Sequence, residues 1–193
     1  MGSYFILLSL KALYPVVCGF ILLFIGAGCK QKPTVTPIES NNLINPAVVI
    51  SNHLKEFQSY HLYKYSNVNG RVDSVMIKHP DWEKEIDIID NLNIDKPVYK
   101  GIIQIDSSYV ADTLIYKITC LEEKLKLKEV KLSYFHKQLL HINAIIAENN
   151  FIYSDSKQVY FNPKKGYKIS GNLHTVLFFK YELSYDIVGE KTI

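Results

Sequence analysis

The sequence predicts an α+β domain, with N-terminal helices packed on an antiparallel β-meander, after an apolar leader and a flexible tether. Three observations predict it. Apolar residues recur at helical spacing, with no competing strand pattern, in two early segments, residues 46–59 and 81–92. From Tyr99 onward apolar and polar residues alternate with a period of two, broken by turn residues. Runs of helix followed by runs of strand suit a two-layer arrangement rather than alternating β-α-β units. With 193 residues, of which 48% are apolar and 21% charged, the chain can bury one core. Residues 46–193 are expected to be that single domain.

In residues 46–59, Val49, Ile50, His53, Leu54 and Phe57 share one helical face. Pro46 suits a first helical turn, where its missing N–H leaves nothing unpaired. Residues 60–68 and 71–78 flank Asn69-Gly70, the pair that supplies the positive φ angles of a type I′ hairpin turn. In residues 81–92, Trp82, Ile86 and Ile89 line one side of a second expected helix and Glu83, Asp87 and Asp90 another. Asp81 is placed to cap it, and Trp82 is expected under the sheet.

The later segments read as strands. Residues 114–120 form one. Residues 124–135 change phase, with Leu125 and Leu127 on one and Val130, Leu132 and Tyr134 on the other, so a bulge or turn near Lys128-Glu129 is expected. Residues 136–150 fit either period, and the strand reading is preferred because strands flank them. Residues 151–161, 167–178 and 181–188 complete the meander, with Asn162-Pro-Lys-Lys-Gly166 as a turn.

Net charge is +3, and of the 22 basic residues only Arg71 is an arginine. A charge so small, without the guanidinium forks that grip phosphates and bases, excludes a nucleic-acid footprint. The leader carries a stronger signal. Residues 4–28 form an apolar run broken by Lys11, ending in Ile25-Gly26-Ala27-Gly28-Cys29. An apolar stretch followed by small residues is the pattern of a secretory signal. With cysteine directly after the small pair, it resembles a bacterial lipobox. The resemblance implies that residues 1–28 are a signal peptide cut after Gly28, and that Cys29 carries the acyl chains of a membrane anchor. Two further outcomes stay open: a single uncleaved N-terminal transmembrane anchor, and cleavage to a soluble secreted form. Residues 29–45, with Pro33, Pro37 and little periodicity, read as the lipidated cysteine and its tether. At roughly 3.1 Å per residue such a segment reaches on the order of 45 Å. No acidic residue directly follows Cys29, which by the same resemblance points to an outer-membrane anchor facing the periplasm.

Three further stretches carry a second resemblance. Trp82-Glu-Lys-Glu-Ile86, Ile94-Asp-Lys-Pro97 and Tyr160-Phe-Asn-Pro-Lys-Lys-Gly-Tyr-Lys-Ile-Ser-Gly171 resemble uncharacterised small lipoproteins of Bacteroidota. The likeness spans most of residues 54–190 and implies an envelope location and the α+β fold, with no catalytic residue attached.

Motifs for chemistry are sparse. The histidines 53, 61, 79, 136, 141 and 174 show no metal-ligand spacing, so no metal site is expected. Phosphate loops and nucleophile elbows are missing, and no cofactor is implied. Cys120, left without a partner once Cys18 is removed with the leader and Cys29 is acylated, reads as a buried structural thiol. Glu83, Asp87 and Asp90 read as a solvated helix face. Lys124, Lys126, Lys128 and Lys131 read as a guard on an exposed strand. Of 14 tyrosines most fall in strands, where aromatic cross-strand pairs stabilise a sheet. The expected function is therefore a non-enzymatic, membrane-anchored envelope lipoprotein that binds a protein partner or serves a structural role. The alternative is a periplasmic carrier holding an apolar ligand (lipid, glycan or peptide) in a curved sheet.

Overall fold

A computed structural model of the chain describes residues 44–175 and 181–192. Cys29 and Gly28, and with them the leader and most of the tether, lie outside the described residues.

Helix α1 spans Pro46–Glu56 and is capped by Asn45, whose side chain accepts a hydrogen bond from the Ala47 N–H. Asn45 also donates to Asn93 at 2.9 Å and to Asp95 at 2.7 Å, tying the start of the helix to a distant turn. Ile44 and Asn45 are themselves buried. Strands β1 (His61–Val68) and β2 (Arg71–Ile77) form the expected hairpin, with Asn69 at φ 49° and Gly70 at φ 81°.

The second expected helix is corrected. Only Trp82–Glu85 is α-helical (α2), with Asp81 as its cap, and Asp87–Leu92 continues as a 3₁₀ helix. The break falls at Ile86, whose φ of −122° and ψ of 49° are not helical. An α-helix would bury Trp82, Ile86 and Ile89 and turn Ile88 away. The tighter winding buries Ile86, Ile88, Ile89 and Leu92 together.

Seven strands follow: β3 (Ile103–Val110), β4 (Thr113–Cys120), β5 (Leu127–Phe135), β6 (Gln138–Asn149), β7 (Tyr153–Asn162), β8 (Gly166–Thr175) and β9 (Tyr181–Thr192). The ambiguous segment is thus a strand. The bulge near Lys128 is present, since Leu127 pairs with Ile146 while Glu129 pairs with Ile145.

The α+β class with N-terminal helices packed on a meander is overturned. The fold is a single nine-stranded antiparallel sheet in the order β2-β1-β9-β8-β7-β6-β5-β4-β3, and the helical segments are few and short. The β1–β2 hairpin is formed before α2 and joins the meander at β9, along the register His61↔Thr192 to Val68↔Tyr185.

One face of the sheet bears the core. Ile118, Leu127, Val130, Leu132, Ile142, Val159, Phe161 and Tyr167 line it, and Ile50, Leu54, Phe57 and Trp82 meet it from the helical segments. Phe57 stacks on Phe161 at 6.0 Å and meets Trp82 edge-on at 5.1 Å. Trp82 is wholly buried, as the sequence predicts. The Lys191 ammonium lies 4.3 Å from the centre of the Phe57 ring and closes the end of this cluster.

Candidate functional site

Beyond the Phe57–Trp82 cluster the core face opens into a groove of about 430 Å³. Ile169, Leu183 and Ile187 form its apolar floor, Ile88 overhangs it, and Lys157 and Tyr185 stand at its rim. Register explains the rim. Lys157 on β7, Gly171 on β8 and Tyr185 on β9 are consecutive cross-strand partners on one face. Gly171 has no side chain, so the Tyr185 ring lies over its backbone, where a Cβ would come within 2.8 Å of Tyr185 Cε1. The Lys157 ammonium is 2.8 Å from Asp155. Burial opposes the charge on Lys157, but Asp155, Tyr185 and Asp87 together outweigh it and hold its pKa above the usual lysine value. Burial in turn raises the Tyr185 hydroxyl. The rim therefore carries a lysine–carboxylate pair and a phenol whose pKa lies above its ordinary value.

The same pattern recurs one strand over in the opposite direction. Lys64 on β1, Gly189 on β9 and Tyr167 on β8 are consecutive partners, with the Tyr167 ring over Gly189. Lys64 pairs with Glu85 of α2 at 2.7 Å, and the Tyr167 hydroxyl donates to the same carboxylate at 3.4 Å. Burial, then the Glu85 charge and this hydrogen bond, push the Tyr167 pKa far above its ordinary value. This cluster is closed, and it anchors α2 to the sheet.

The opposite face is open. Its central depression, about 300 Å³, is bordered by Glu129, Lys131, Asn143, Ile145, Tyr160 and Lys168. Its charges are already matched: Glu129 bridges Lys117 at 2.9 Å and Lys131 at 3.1 Å, and Lys168 meets Asp186 at 3.3 Å. Those lysines hold the Glu129 carboxyl below its usual pKa against the effect of burial, the Lys117 hydrogen bond acting most strongly. At the sheet edge, every β2 residue from Arg71 to Met76 is exposed. Val72 (60%), Met76 (52%) and Val75 (49%) leave apolar surface on both faces of that strand.

The other candidates from the sequence fall in separate places. His53 lies 3.7 Å from Glu56, and His174 lies 3.2 Å from Glu182 on the neighbouring strand. His141 stacks on Tyr160 on the open face. Glu83, Asp87 and Asp90 are exposed, and Asp90 pairs with Lys96. The lysine guard is corrected, because Lys128 and Lys131 belong to β5, an interior strand, and Lys126 lies just before it. Lys128 donates to the backbone carbonyls of Glu123 and Leu125, and Lys126 pairs with Glu148 at 2.8 Å. Cys120 is half-buried at the end of β4 rather than enclosed, and its thiol donates to the Glu122 carbonyl at 3.6 Å. Sequence reading missed the Lys157–Asp155 pair and both tyrosine-over-glycine contacts. The Gly-Tyr-x-Ile-x-Gly pattern of β8 was their one visible signal. Comparison with known proteins returns no family model, no curated protein and no solved structure that matches the chain.

Proposed function

We propose that the chain is a non-enzymatic envelope lipoprotein that docks a protein partner through the exposed edge of its sheet. In this reading the leader is cut after Gly28 and acyl chains on Cys29 hold the protein to the outer membrane, facing the periplasm. Stable attachment needs more than one chain, at roughly 0.8 kcal/mol per buried methylene, and a triacylated cysteine meets that need. The observation that carries the docking role is β2, exposed over Arg71–Met76 with apolar side chains on both faces. An edge strand of this kind offers unpaired backbone groups and alternate side chains to an incoming strand.

The test places a photo-crosslinking residue at Val72 of the full chain in its own cells, with Tyr109 on the opposite edge strand β3 as control. A single discrete protein adduct at Val72 and none at Tyr109 supports docking at β2, and equal labelling at both edges refutes it. The anchor is tested separately. Cys29→Ala should release the protein from the membrane fraction and abolish acyl labelling. A mature chain that still begins at Met1 with no added mass on Cys29 overturns the anchor.

The groove favours a second reading, a carrier for an apolar ligand. Its volume, about 430 Å³, lies within the range of small-molecule sites, and its floor is apolar with a few polar groups at the rim. Native mass spectrometry of detergent-extracted protein would show a bound lipid, glycan or peptide under this reading and the bare polypeptide mass otherwise.

A further inference from the structure

Two histidines that neither reading above uses, His61 and His79, stand at the Met76 end of the docking strand. His61 begins β1, Met76 lies near the end of β2, and His79 follows two residues beyond β2. The His61 and His79 rings meet edge-on, with centroids 6.4 Å apart and planes at 84°. His61 Nδ1 lies 2.6 Å from the Lys78 carbonyl oxygen. A carbonyl only accepts, so Nδ1 carries a proton, and in the neutral ring Nε2 keeps its lone pair free to ligate. A ring nitrogen held on a backbone carbonyl is the arrangement that orients metal-binding histidines.

Register places the third donor. Met76 faces Tyr63 across the hairpin, while Thr192 of β9 faces His61 on the other side of β1. Yet Met76 Sδ accepts a hydrogen bond from Thr192 Oγ1 at 3.7 Å. Neighbouring strands lie about 4.8 Å apart. The Met76 side chain therefore reaches past β1 on the open face to Thr192, the residue opposite His61. Met76 is 52% exposed, so an ion can reach that sulfur.

We propose that His61, His79 and Met76 form a Cu(I) site on the open face at this end of the β1–β2 hairpin. Two neutral imidazoles and a thioether are a soft, uncharged donor set, which selects Cu(I) over Zn(II) and over the hard divalent cations. Among the described residues no three histidine, cysteine or carboxylate side chains converge, so a harder ion finds no competing set here. The proposal does not depend on the anchor, the docking edge or the groove.

The test removes the thiols first, because thiolates would capture the metal. The full chain carrying Cys18→Ser, Cys29→Ser and Cys120→Ser, in detergent, is titrated anaerobically with Cu(I) against a chromophoric chelator. One equivalent should bind. X-ray absorption at the copper edge should show one sulfur and two nitrogen neighbours. Met76→Leu should remove the sulfur neighbour, and Met76→Leu and His79→Asn should each weaken binding at least as much as the roughly 10–100-fold that loss of an outer-shell partner costs. Unaltered Trp82 fluorescence reports that both variants remain folded. Binding that neither substitution weakens, a wild-type copper spectrum without sulfur, or Zn(II) held as tightly as Cu(I) would each overturn the proposal.

Discussion

Replacing Gly189 with alanine tests whether the tyrosine rings rest on bare backbone because the sheet leaves them nowhere else to go. A Cβ at Gly189 would stand 2.5 Å from Tyr167 Cζ and closer still to Tyr167 Cε1. The ring cannot step aside easily. Tyr167 is only 3% exposed, and its hydroxyl is hydrogen-bonded to Glu85, which also holds Lys64. Forced overpacking of this kind costs about 1–3 kcal/mol. Against it stands the usual gain of about 0.5–1 kcal/mol when alanine replaces a strand glycine. The net expectation for Gly189→Ala is a loss of up to about 2.5 kcal/mol, read from urea midpoints at an unchanged slope. With the ring removed by Tyr167→Ala, the same substitution should turn neutral or stabilising. The cycle should thus show a coupling of about 1–3 kcal/mol, within the range for residues in contact. Should Tyr167→Ala fail to fold, the Gly171–Tyr185 pair supplies a second cycle. There the ring is half-buried and can swing toward the groove, so Gly171→Ala should cost less than Gly189→Ala. Additive effects at Gly189 and Tyr167, or a larger cost at Gly171, would refute the reasoning.

Three other outcomes follow from the same structure. Ala111, in the β3–β4 turn, sits at φ 50°, a left-handed conformation that costs an L-residue about 1–2 kcal/mol. Ala111→Gly should therefore raise the thermal midpoint, and a lowered midpoint would show that this turn is not strained. Trp82 should emit at the short wavelengths of an indole shielded from water, and Trp82→Ala should destabilise by about 3–5 kcal/mol in urea. A water-like emission maximum in the wild type would contradict its burial. Glu129 has its pKa lowered in the folded state, mainly by its hydrogen bond from Lys117. A depressed carboxyl stabilises above its unfolded pKa and loses that contribution as pH falls through the folded value. Glu129→Gln should thus be less stable than wild type at neutral pH and converge on it in acid. An equal gap at pH 7 and pH 3 would show that the carboxylate charge contributes nothing.

Local features of the fold were legible where a residue type is forced by geometry. Asn69-Gly70 announced its hairpin because few other pairs accept two positive φ angles. The phase change between Leu127 and Val130 announced the bulge, because a strand can bury both only by inserting a residue. The same logic explains the misses. His136 (φ 46°) and Lys137 (φ 66°) make the β5–β6 turn without glycine or asparagine, so nothing in their chemistry marks it. The 81–92 segment has helical spacing at Trp82, Ile86 and Ile89. Its β-branched isoleucines and its Asp and Asn residues are weak helix formers, and burial of Ile88 and Leu92 tips it to 3₁₀. Fold class failed because the 81–92 segment yields one short α-helical turn and a 3₁₀ segment in place of a second helix, and because nothing local shows that β1 will pair with β9, more than a hundred residues away.

That one distant pairing also assembles the closed tyrosine cluster and the proposed copper site. It brings Lys64 beside Gly189 and so closes the Tyr167–Glu85 cluster that holds α2. It sets Thr192 beside His61, so that Met76 reaches across β1 to it. Positions 61, 76 and 79 have no ligand spacing along the chain, and they meet only because a hairpin folds back and a C-terminal strand fixes its far side. A perturbation of the β1–β9 seam should therefore act on both clusters at once. Tyr65→Pro, placed opposite Val188 within that seam, removes a backbone donor to β9 and should cost the Met76–Thr192 contact together with the Lys64–Gly189 register. In hydrogen exchange it should expose amides of β1, β2 and β9 while those of β5 and β6 stay protected, and uniform loss across all nine strands would mean that the seam is not a separable unit.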